Sequence, residues 1–295
     1  MAGKQKQAAE ALSTIEGAKK QAAIRAVEEH FDPASHKIVG IGSGTTIIYV
    51  VEAIKERGGS EHIRFVPTGF QSRQAIVKAG LTPMPFDSLA EGQLLDVCFD
   101  GADEVDDELN CIKGGGACLF QEKLVATKSK KFVCVADYRK LQPRLLTNWP
   151  SIPVEIAPIA MTSVLHALKR LGSIDPIVRE GHIAKAGPLK TDQDFFIIDA
   201  PFKPLLTEAD VAAGKQGNGK DGIWEVSALA HRIKLIQGVL DVGLFEGANG
   251  FEVAARGEHA GGQKPVAAYF GMENGEVLKR TAKSSKLGDK PAPPQ

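Results

Sequence analysis

The chain has 295 residues, and its 36 lysines and arginines balance 36 aspartates and glutamates, so the formal net charge is zero. At about 150 residues per domain, this length indicates two domains. A hydrophobic fraction of 43% with 24% charged residues excludes a disordered chain. The balanced charge argues against a nucleic-acid-binding protein, which is usually basic.

The sequence shows neither a membrane span nor a targeting segment. No apolar run reaches the length of about 18 residues that a transmembrane helix needs. The N-terminal region lacks an apolar core and contains Glu10 and Glu16, which argues against a signal or transit peptide. The four cysteines have no Cys-x-x-Cys spacing, so we expect free thiols. Together these features predict a cytoplasmic protein that binds no membrane.

Helices and strands alternate over the first half of the chain. Apolar residues at helical spacing predict a helix over 11–29, and short apolar runs between turn residues predict strands. The expected strands are 37–41, 63–67, 81–86, 94–99 and 132–136, and the helices between them are 47–55, 71–78 and 118–128. This alternation predicts an α/β fold with a Rossmann-like, mostly parallel sheet that helices cover on both faces.

The pattern changes after residue 150. The expected elements are a helix over 160–171, strands at 174–178 and 195–199, a loop at 214–220, a helix over 225–237 and a strand at 239–245. Two further segments, 251–255 and 266–270, are predicted to return to the first sheet as edge strands. We therefore predict an α/β domain of residues 1–149 plus 246–283, a small α+β domain of residues 150–245 and a flexible tail of residues 284–295.

A turn rich in glycine and hydroxyl groups follows the first predicted strand. Residues 40–46 read Gly-Ile-Gly-Ser-Gly-Thr-Thr and open a helix, where backbone N–H groups and hydroxyls can bind an anion. The alternative is a tight turn whose glycines serve backbone geometry alone. A dinucleotide fingerprint is excluded because its third glycine is missing, and a P-loop is excluded because no lysine is present.

Two acidic residues follow the predicted strand 94–99. Asp100 and Asp103 stand at its carboxyl end, which is where open α/β sheets bind their ligands. Carboxylates at this spacing can bind sugar hydroxyls or a ring oxygen. The alternative is a solvated acidic turn that continues through residues 106–108.

A lysine before three glycines forms the third element. Glycines allow close approach of the backbone to a ligand, and Lys113 can neutralise an oxyanion. Glu122, in the following helix, is a candidate general base if its surroundings tune its proton affinity. The alternative is a surface helix with an ordinary pair between Glu122 and Lys123. The combination of these elements in one α/β domain favours a phosphosugar site.

Taken together, these strings resemble the A-type ribose-5-phosphate isomerase family. The resemblance rests on residues 40–46, on Asp-Gly-Ala-Asp-Glu at 100–104, and on Lys-Gly-Gly-Gly-Ala at 113–117 with a glutamate five residues beyond. Residues 136–140 and Pro-Val-Glu-Ile at 153–156 match the same family. The resemblance implies an aldose–ketose isomerase of the non-oxidative pentose phosphate pathway that uses neither metal nor cofactor. It would interconvert D-ribose 5-phosphate and D-ribulose 5-phosphate through an enediol.

The resemblance also implies roles for individual residues. Glu122 would move the proton between C2 and C1, while Asp100, Asp103 and Lys113 would hold sugar hydroxyls, assist ring opening and stabilise the enediolate. The remaining substrate-binding residues would be Ser43, Gly44, Thr45, Thr46, Gly101, Ala102, Gly114, Gly115, Gly116, Lys140 and Lys19. Lys20 is an open alternative to Lys19. The family further implies a homo-oligomer, either a dimer or a tetramer.

Two other classes of protein have related architectures. A sugar-phosphate sensor domain of a transcription regulator predicts an attached DNA-binding motif and no need for Glu122, and the balanced charge argues against it. A CoA transferase would use the glutamate to form a thioester, and the Asp-Gly-Ala-Asp run fits that chemistry poorly.

Overall fold

The computed structural model describes residues 2–181 and 186–282, with side chains described from residue 15 onward. The helices are α1 (Ala2–His30), α2 (Thr45–Arg57), α3 (Phe70–Lys78), α4 (Leu119–Thr127), α5 (Met161–Arg170), α6 (Glu208–Ala212), α7 (Val226–Lys234) and α8 (Gly250–Ala255). The strands are β1 (Ile38–Ile41), β2 (Arg64–Pro67), β3 (Thr82–Pro83), β4 (Val97–Asp100), β5 (Glu104–Val105), β6 (Cys111–Ile112), β7 (Phe132–Asp137), β8 (Ile152–Ile156), β9 (Ile177–Val178), β10 (Phe196–Ala200), β11 (Val239–Val242), β12 (Leu244–Phe245), β13 (Ala267–Gly271) and β14 (Val277–Thr281).

A seven-stranded sheet forms the centre of the fold, in the order β14-β13-β7-β4-β1-β2-β3. All its neighbouring strands are parallel except the pair β13 and β14. Every residue of β1, β4 and β7 is buried, as expected for strands that are covered on both faces. The predicted α/β fold with a mostly parallel sheet is therefore confirmed.

The strand order reverses beside β1. From β1 the chain continues to β2 on one side, and then returns to form β4 on the other side. Such a switch point leaves a crevice at the carboxyl ends of the two central strands, where open α/β sheets bind ligands. The sequence therefore brings the turn after β1 next to Asp100 at the end of β4.

Two smaller antiparallel sheets complete the described fold: a four-stranded sheet β11-β8-β10-β9 and a three-stranded sheet β12-β6-β5. Strand β8 is absent from the predicted elements, because Pro153 argues against a strand with neighbours on both sides. The single predicted strand 239–245 divides at Gly243 into β11 and β12. A Cβ atom at Gly243 would lie 2.3 Å from the carbonyl oxygen of Lys113, so only glycine permits this close approach.

Several predicted strands differ from those observed. The strand expected at 251–255 is wrong, because Asn249 accepts hydrogen bonds from the backbone of Phe251 and Glu252 and thereby starts helix α8. Strand β13 does return to the large sheet, but β14 forms the edge beyond it. The strands predicted at 81–86 and 174–178 are reduced to the two-residue strands β3 and β9.

Helix α1 packs against the hairpin of β13 and β14. The contact is close, since a Cβ atom at Gly271 would lie 1.9 Å from the backbone oxygen of Ala18. Farther along the helix, the hydroxyl of Tyr269 donates to Glu29 at 2.7 Å, and Lys279 pairs with the same carboxylate. These contacts fix the position of the helix that carries Lys19.

The predicted division into two domains remains a prediction, and the predicted tail of residues 284–295 lies outside the described residues. Within the described part of the chain, no helix combines the length and the apolar character needed to cross a bilayer.

Candidate active site

A cavity of about 230 Å³ lies at the carboxyl ends of β1, β4 and β7. Its lining consists of Lys19, Ser43, Gly44, Thr45, Thr46, Gly101, Ala102, Asp103, Lys113, Gly114, Gly115, Gly116, Glu122, Asp137, Arg139 and Lys140. Every predicted site residue except Asp100 is among them. Asp100 lies directly beneath, 1% exposed, and its carboxylate contacts Lys113.

A larger groove of about 740 Å³ lies on another side of α4, lined largely by apolar residues such as Phe70, Met84 and Phe120. None of the predicted site residues lines this groove. Its size therefore does not make it the better candidate, because the convergent charged groups lie in the smaller cavity.

The ammonium group of Lys113 is the centre of the charged cluster. Its Nζ lies 2.9 Å from Asp100 Oδ2 and 3.3 Å from Glu122 Oε2, and it donates to the carbonyl oxygen of Gly101 at 2.6 Å. Burial opposes the charge of Lys113, but the carboxylates of Asp100 and Glu122 raise its pKa above the ordinary 10.5. The two carboxylates therefore favour the protonated, positively charged form of Lys113.

Asp100 is buried between this ammonium group and the turn after β1. Its Oδ1 atom accepts hydrogen bonds from the backbone of Gly101 at 2.7 Å and Ser43 at 3.2 Å. Burial raises the pKa of Asp100 from 3.8 to about 7, against the opposing effect of Lys113 and with a further contribution from Glu122. Two carboxyl groups and one ammonium group thus share one buried cluster.

Asp100→Asn tests the raised pKa through the pH dependence of stability. A carboxyl group whose pKa is raised by folding contributes stability that is complete below about pH 4 and is lost as the pH rises through about 7. The variant lacks this contribution. We therefore expect the free energy of unfolding of the wild type, minus that of Asp100→Asn, to fall by about 2 kcal/mol between about pH 5 and pH 8. Urea titrations measure this difference, and a value that stays constant with pH would contradict the raised pKa.

Glu122 projects into the cavity from the first turns of α4 and is 4% exposed. Its Oε1 atom accepts a hydrogen bond of 2.6 Å from the hydroxyl of Ser43. The next residue, Lys123, is also buried and donates to the backbone oxygens of β11 and β12. The alternative of an ordinary surface pair between Glu122 and Lys123 is therefore wrong.

Asp103 lies on the opposite wall, against the glycine turn. Its carboxylate accepts a hydrogen bond of 2.7 Å from the backbone of Gly115. Burial raises the pKa of Asp103 above its ordinary 3.8. A Cβ atom at Gly115 would lie 2.6 Å from Asp103 Oδ1, so a larger residue would force the Asp103 carboxylate to shift. The alternative of a solvated acidic turn does not hold at Asp100 and Asp103.

The turn after β1 and helix α1 form one end of the cavity. Gly44 adopts a φ of 95°, which favours glycine, and leads directly into α2. The hydroxyl of Thr45 accepts a hydrogen bond of 3.0 Å from Lys19 Nζ, which also pairs with Glu16 at 2.7 Å. Lys20 is exposed. Lys19, and not Lys20, therefore lies in the cavity.

Residues after β7 complete this end of the cavity. Lys140 Nζ lies 4.8 Å from the centre of the Trp149 ring, a cation–π contact that holds the lysine in place. Asp137 and Arg139 form a two-point ion pair at 2.7 and 2.8 Å. Burial opposes the charge of Asp137, yet Arg139 lowers its pKa. The sequence motifs assign no role to these two residues, although both precede Lys140 in the string 136–140.

Two further polar side chains reach the site from distant segments, and nothing in the sequence points to them. Gln71 accepts a hydrogen bond of 2.9 Å from the backbone of Gly44. Arg179 donates to the carbonyl oxygens of Gly114 at 2.8 Å and Gly115 at 3.2 Å, and its other nitrogens bind Asp199. Both hold the backbone of turns that line the cavity.

Among residues 15–181 and 186–282, no three histidine, cysteine, aspartate or glutamate side chains are grouped so that they could hold a metal ion. The expectation of a reaction without metal or cofactor stays a prediction.

The chain is similar to known proteins over most of its length. The family model described as ribose 5-phosphate isomerase A (phosphoriboisomerase A) matches residues 64–258. The ribose-5-phosphate isomerase of Mycosarcoma maydis is 45% identical over 275 residues, which cover 92% of this chain and 83% of that protein. The enzyme of the same name from Schizosaccharomyces pombe is 43% identical over 276 residues, 93% of this chain and 87% of that protein.

Solved structures agree with these matches. The ribose 5-phosphate isomerase A of Methanocaldococcus jannaschii superposes with a TM-score of 0.70 at 26% identity, covering 90% of this chain and 98% of that chain. A D-ribose-5-phosphate isomerase in complex with phospho-erythronic acid gives a TM-score of 0.72 at 27% identity, covering 90% and 99%. The fold and these matches are those of an α/β isomerase. The chain belongs to the ribose 5-phosphate isomerase A family, so the resemblance inferred from its motifs is confirmed.

Proposed function

We propose that the protein interconverts D-ribose 5-phosphate and D-ribulose 5-phosphate through an enediolate. The observation that carries this proposal is the contact of Glu122 with both Lys113 and Ser43 at the wall of a single cavity. A buried carboxylate, a buried ammonium group and a turn suited to an anion are the parts that isomerisation of a phosphosugar requires.

Glu122 is the proposed base. In the open-chain aldose, its carboxylate removes the proton from C2, the electron pair forms a C1–C2 double bond, and the negative charge moves to O1. The same carboxyl group returns the proton to C1, while the hydroxyl proton on O2 is transferred to O1 and leaves a ketone at C2. Its hydrogen bond from Ser43 and its contact with Lys113 support this role, because they hold the carboxylate in one orientation.

Lys113, Asp100 and Asp103 are proposed to stabilise the enediolate, hold sugar hydroxyls and assist ring opening. Lys113 is already oriented by its neighbours, so it stabilises the developing charge without reorganisation of solvent. A carboxyl group with a raised pKa, such as that of Asp103, can carry the proton that a ring oxygen takes up on opening.

The phosphate is proposed to bind at the other end of the cavity. Ser43, Gly44, Thr45 and Thr46 lie at the N-terminus of α2, where backbone N–H groups and the helix dipole favour an anion. Lys19 and Lys140 add positive charge there. The backbone of Gly101, Ala102, Gly114, Gly115 and Gly116 is proposed to contact the sugar between these two ends.

The direct experiment is incubation of the purified protein with ribose 5-phosphate and measurement of ribulose 5-phosphate formed. We expect turnover in both directions, and solvent deuterium incorporated at the carbon that receives the proton. Tight binding of the sugar phosphate without turnover would favour a sensor domain instead. Transfer of an acyl group from a CoA thioester would favour a CoA transferase.

Thr46→Val tests the phosphate end. The substitution keeps the shape of the side chain and removes its hydroxyl, so a hydrogen bond to a charged phosphate oxygen is lost. We expect KM for ribose 5-phosphate to rise by about tenfold, with kcat changed much less. The reaction of free ribose, which carries no phosphate, should hardly change. An equal loss with both sugars would show that the hydroxyl of Thr46 serves only the structure of the turn.

We also propose that the enzyme acts in the cytoplasm as a homo-oligomer, a dimer or a tetramer, without a nucleic-acid partner. The cysteines Cys98, Cys111, Cys118 and Cys134 are all free thiols, which is typical of a reducing compartment. The homo-oligomer is proposed from the resemblance to the family.

A further inference from the structure

A glutamate that the proposed mechanism does not use is completely buried in β8. Glu155 is 0% exposed, and burial raises its pKa above the ordinary 4.5. An isolated buried carboxylate is costly unless hydrogen bonds compensate for the lost water. The Oε2 atom of Glu155 accepts a hydrogen bond of 3.1 Å from the backbone N–H of Phe120, in the first turn of α4.

Helix α4 depends on this bond because it lacks a cap of its own. The first N–H groups of any α-helix have no partner within the helix. Cys118, the residue at the N-cap position, makes no side-chain hydrogen bond to them. Glu155 therefore supplies from a distant strand the acceptor that the sequence of α4 does not provide.

A second anchor holds the same helix one turn later. Lys123 donates to the carbonyl oxygen of Val242 at 2.5 Å, and its Nζ lies 3.1 Å from Asp241 Oδ1. Asp241 is the residue opposite Glu155 in the pairing of β8 and β11. The four-stranded sheet thus binds α4 at Phe120 and at Lys123, and Glu122 lies between these two points.

We propose that Glu155 is a positioning residue, which caps α4 and thereby holds the Glu122 carboxylate within reach of Ser43 and Lys113. This inference rests on the proposed function, since it assumes that Glu122 is the base. A displacement of about 1 Å in a reacting group can lower the rate by about 10²-fold. A helix that has lost this side-chain cap is free to shift by such an amount at its first turn, and Glu122 belongs to that turn.

The experiment compares three substitutions of Glu155. Glu155→Leu removes both acceptor oxygens and keeps a side chain of similar size. Glu155→Gln keeps an acceptor oxygen at the same distance from the backbone. Glu155→Asp keeps the carboxylate, but its shorter side chain moves the oxygens away from Phe120. We expect kcat for ribose 5-phosphate to fall by about tenfold or more in Glu155→Leu, with KM changed by less than about twofold. Glu155→Gln should stay within about threefold of the wild type, because its amide oxygen still accepts the bond.

Hydrogen–deuterium exchange provides the readout that is independent of activity. The amides of the first turn of α4 should exchange faster in Glu155→Leu than in the wild type, and Glu155→Gln should restore their protection. If Glu155→Leu does not fold, Glu155→Asp carries the test. Glu155→Asp should lower kcat more than Glu155→Gln does. The hydrogen bond from Phe120 requires an acceptor on a side chain as long as glutamate, and it does not require a negative charge.

Glu108→Leu is the matched control. Glu108 also accepts hydrogen bonds from the first amides of a distant helix, those of Glu208 and Ala209 in α6, each at 2.9 Å. Helix α6 contributes no residue to the cavity, so kcat should be unchanged. An unchanged kcat in Glu155→Leu, or an equal loss in the Glu108 variant, would overturn the positioning role. An inactive wild type would instead refute the proposed function, and the exchange of the α4 amides would still decide whether Glu155 caps the helix.

Discussion

Glu122→Gln should lower kcat for the isomerisation of ribose 5-phosphate by at least about 10²-fold, because the proton-accepting carboxylate is removed. The amide keeps the size of the side chain and can still accept the hydrogen bond from the Ser43 hydroxyl. Folding should therefore be nearly unaffected, and KM should change much less than kcat. Exchange of the transferred proton with solvent should fall together with turnover, since both require the same abstraction.

Asp103→Asn gives the contrast within the same cavity. It should also slow turnover, but chiefly because substrate is misplaced or ring opening is hindered. Gln121→Ala provides the control on α4, because Gln121 lines the separate larger groove and should not affect kcat. If Glu122→Gln retained more than about a tenth of normal turnover, the assignment of the base would be wrong. The base would then have to be sought at Asp100 or Asp103.

Lys113→Met should reduce both stability and activity. The ammonium group is 3% exposed and compensates the buried carboxylates of Asp100 and Glu122. Removal of one partner from a buried ion pair typically costs about 3–5 kcal/mol, because it leaves an uncompensated charge. Loss of a donor that stabilises an oxyanion costs about 10²–10³-fold in kcat. We expect both effects at Lys113.

Urea titrations and steady-state kinetics measure these two effects. The loss of stability should be smaller at acidic pH, where the protonated carboxyl group of Asp100 no longer needs a counter-charge. Lys130→Met is the control, because its pair with Asp96 at 2.7 Å is exposed on the lysine side and should contribute less than about 1 kcal/mol. A loss below about 1 kcal/mol in Lys113→Met would show that the lysine does not neutralise this cluster.

The part of the site that can be predicted from the sequence lies directly after strands. Buried strands are visible as short apolar runs, and the carboxyl ends of parallel strands meet at one edge of a sheet. For that reason the amino-acid sequence alone is enough to place the turn at 40–46 beside the acids after β4. The central parallel sheet is also predictable, because its strands alternate with segments whose apolar residues recur at helical spacing.

The residues that sequence reasoning misses act across long separations in the chain. Glu155 contacts Phe120 and Arg179 contacts Gly114 only because the smaller sheet packs against the glycine turn and α4. No local pattern encodes such a contact. Strand β8 escapes prediction because Pro153 contradicts the usual composition of a central strand. Helix α8 resembles a strand because it is a short, mostly apolar run in which only Glu252 is charged.

The packing of α1 against β13 and β14 affects the order in which parts of the cavity can form during synthesis. Lys19 leaves the ribosome long before Gly271, against which its helix packs. The contacts of Glu29 with Tyr269 and Lys279 likewise join the two ends of the described chain. A nascent chain can therefore bring Asp100, Lys113 and Glu122 together well before Lys19 has its final support. The corner of the cavity at Lys19 is fixed only after β13 and β14 have been made.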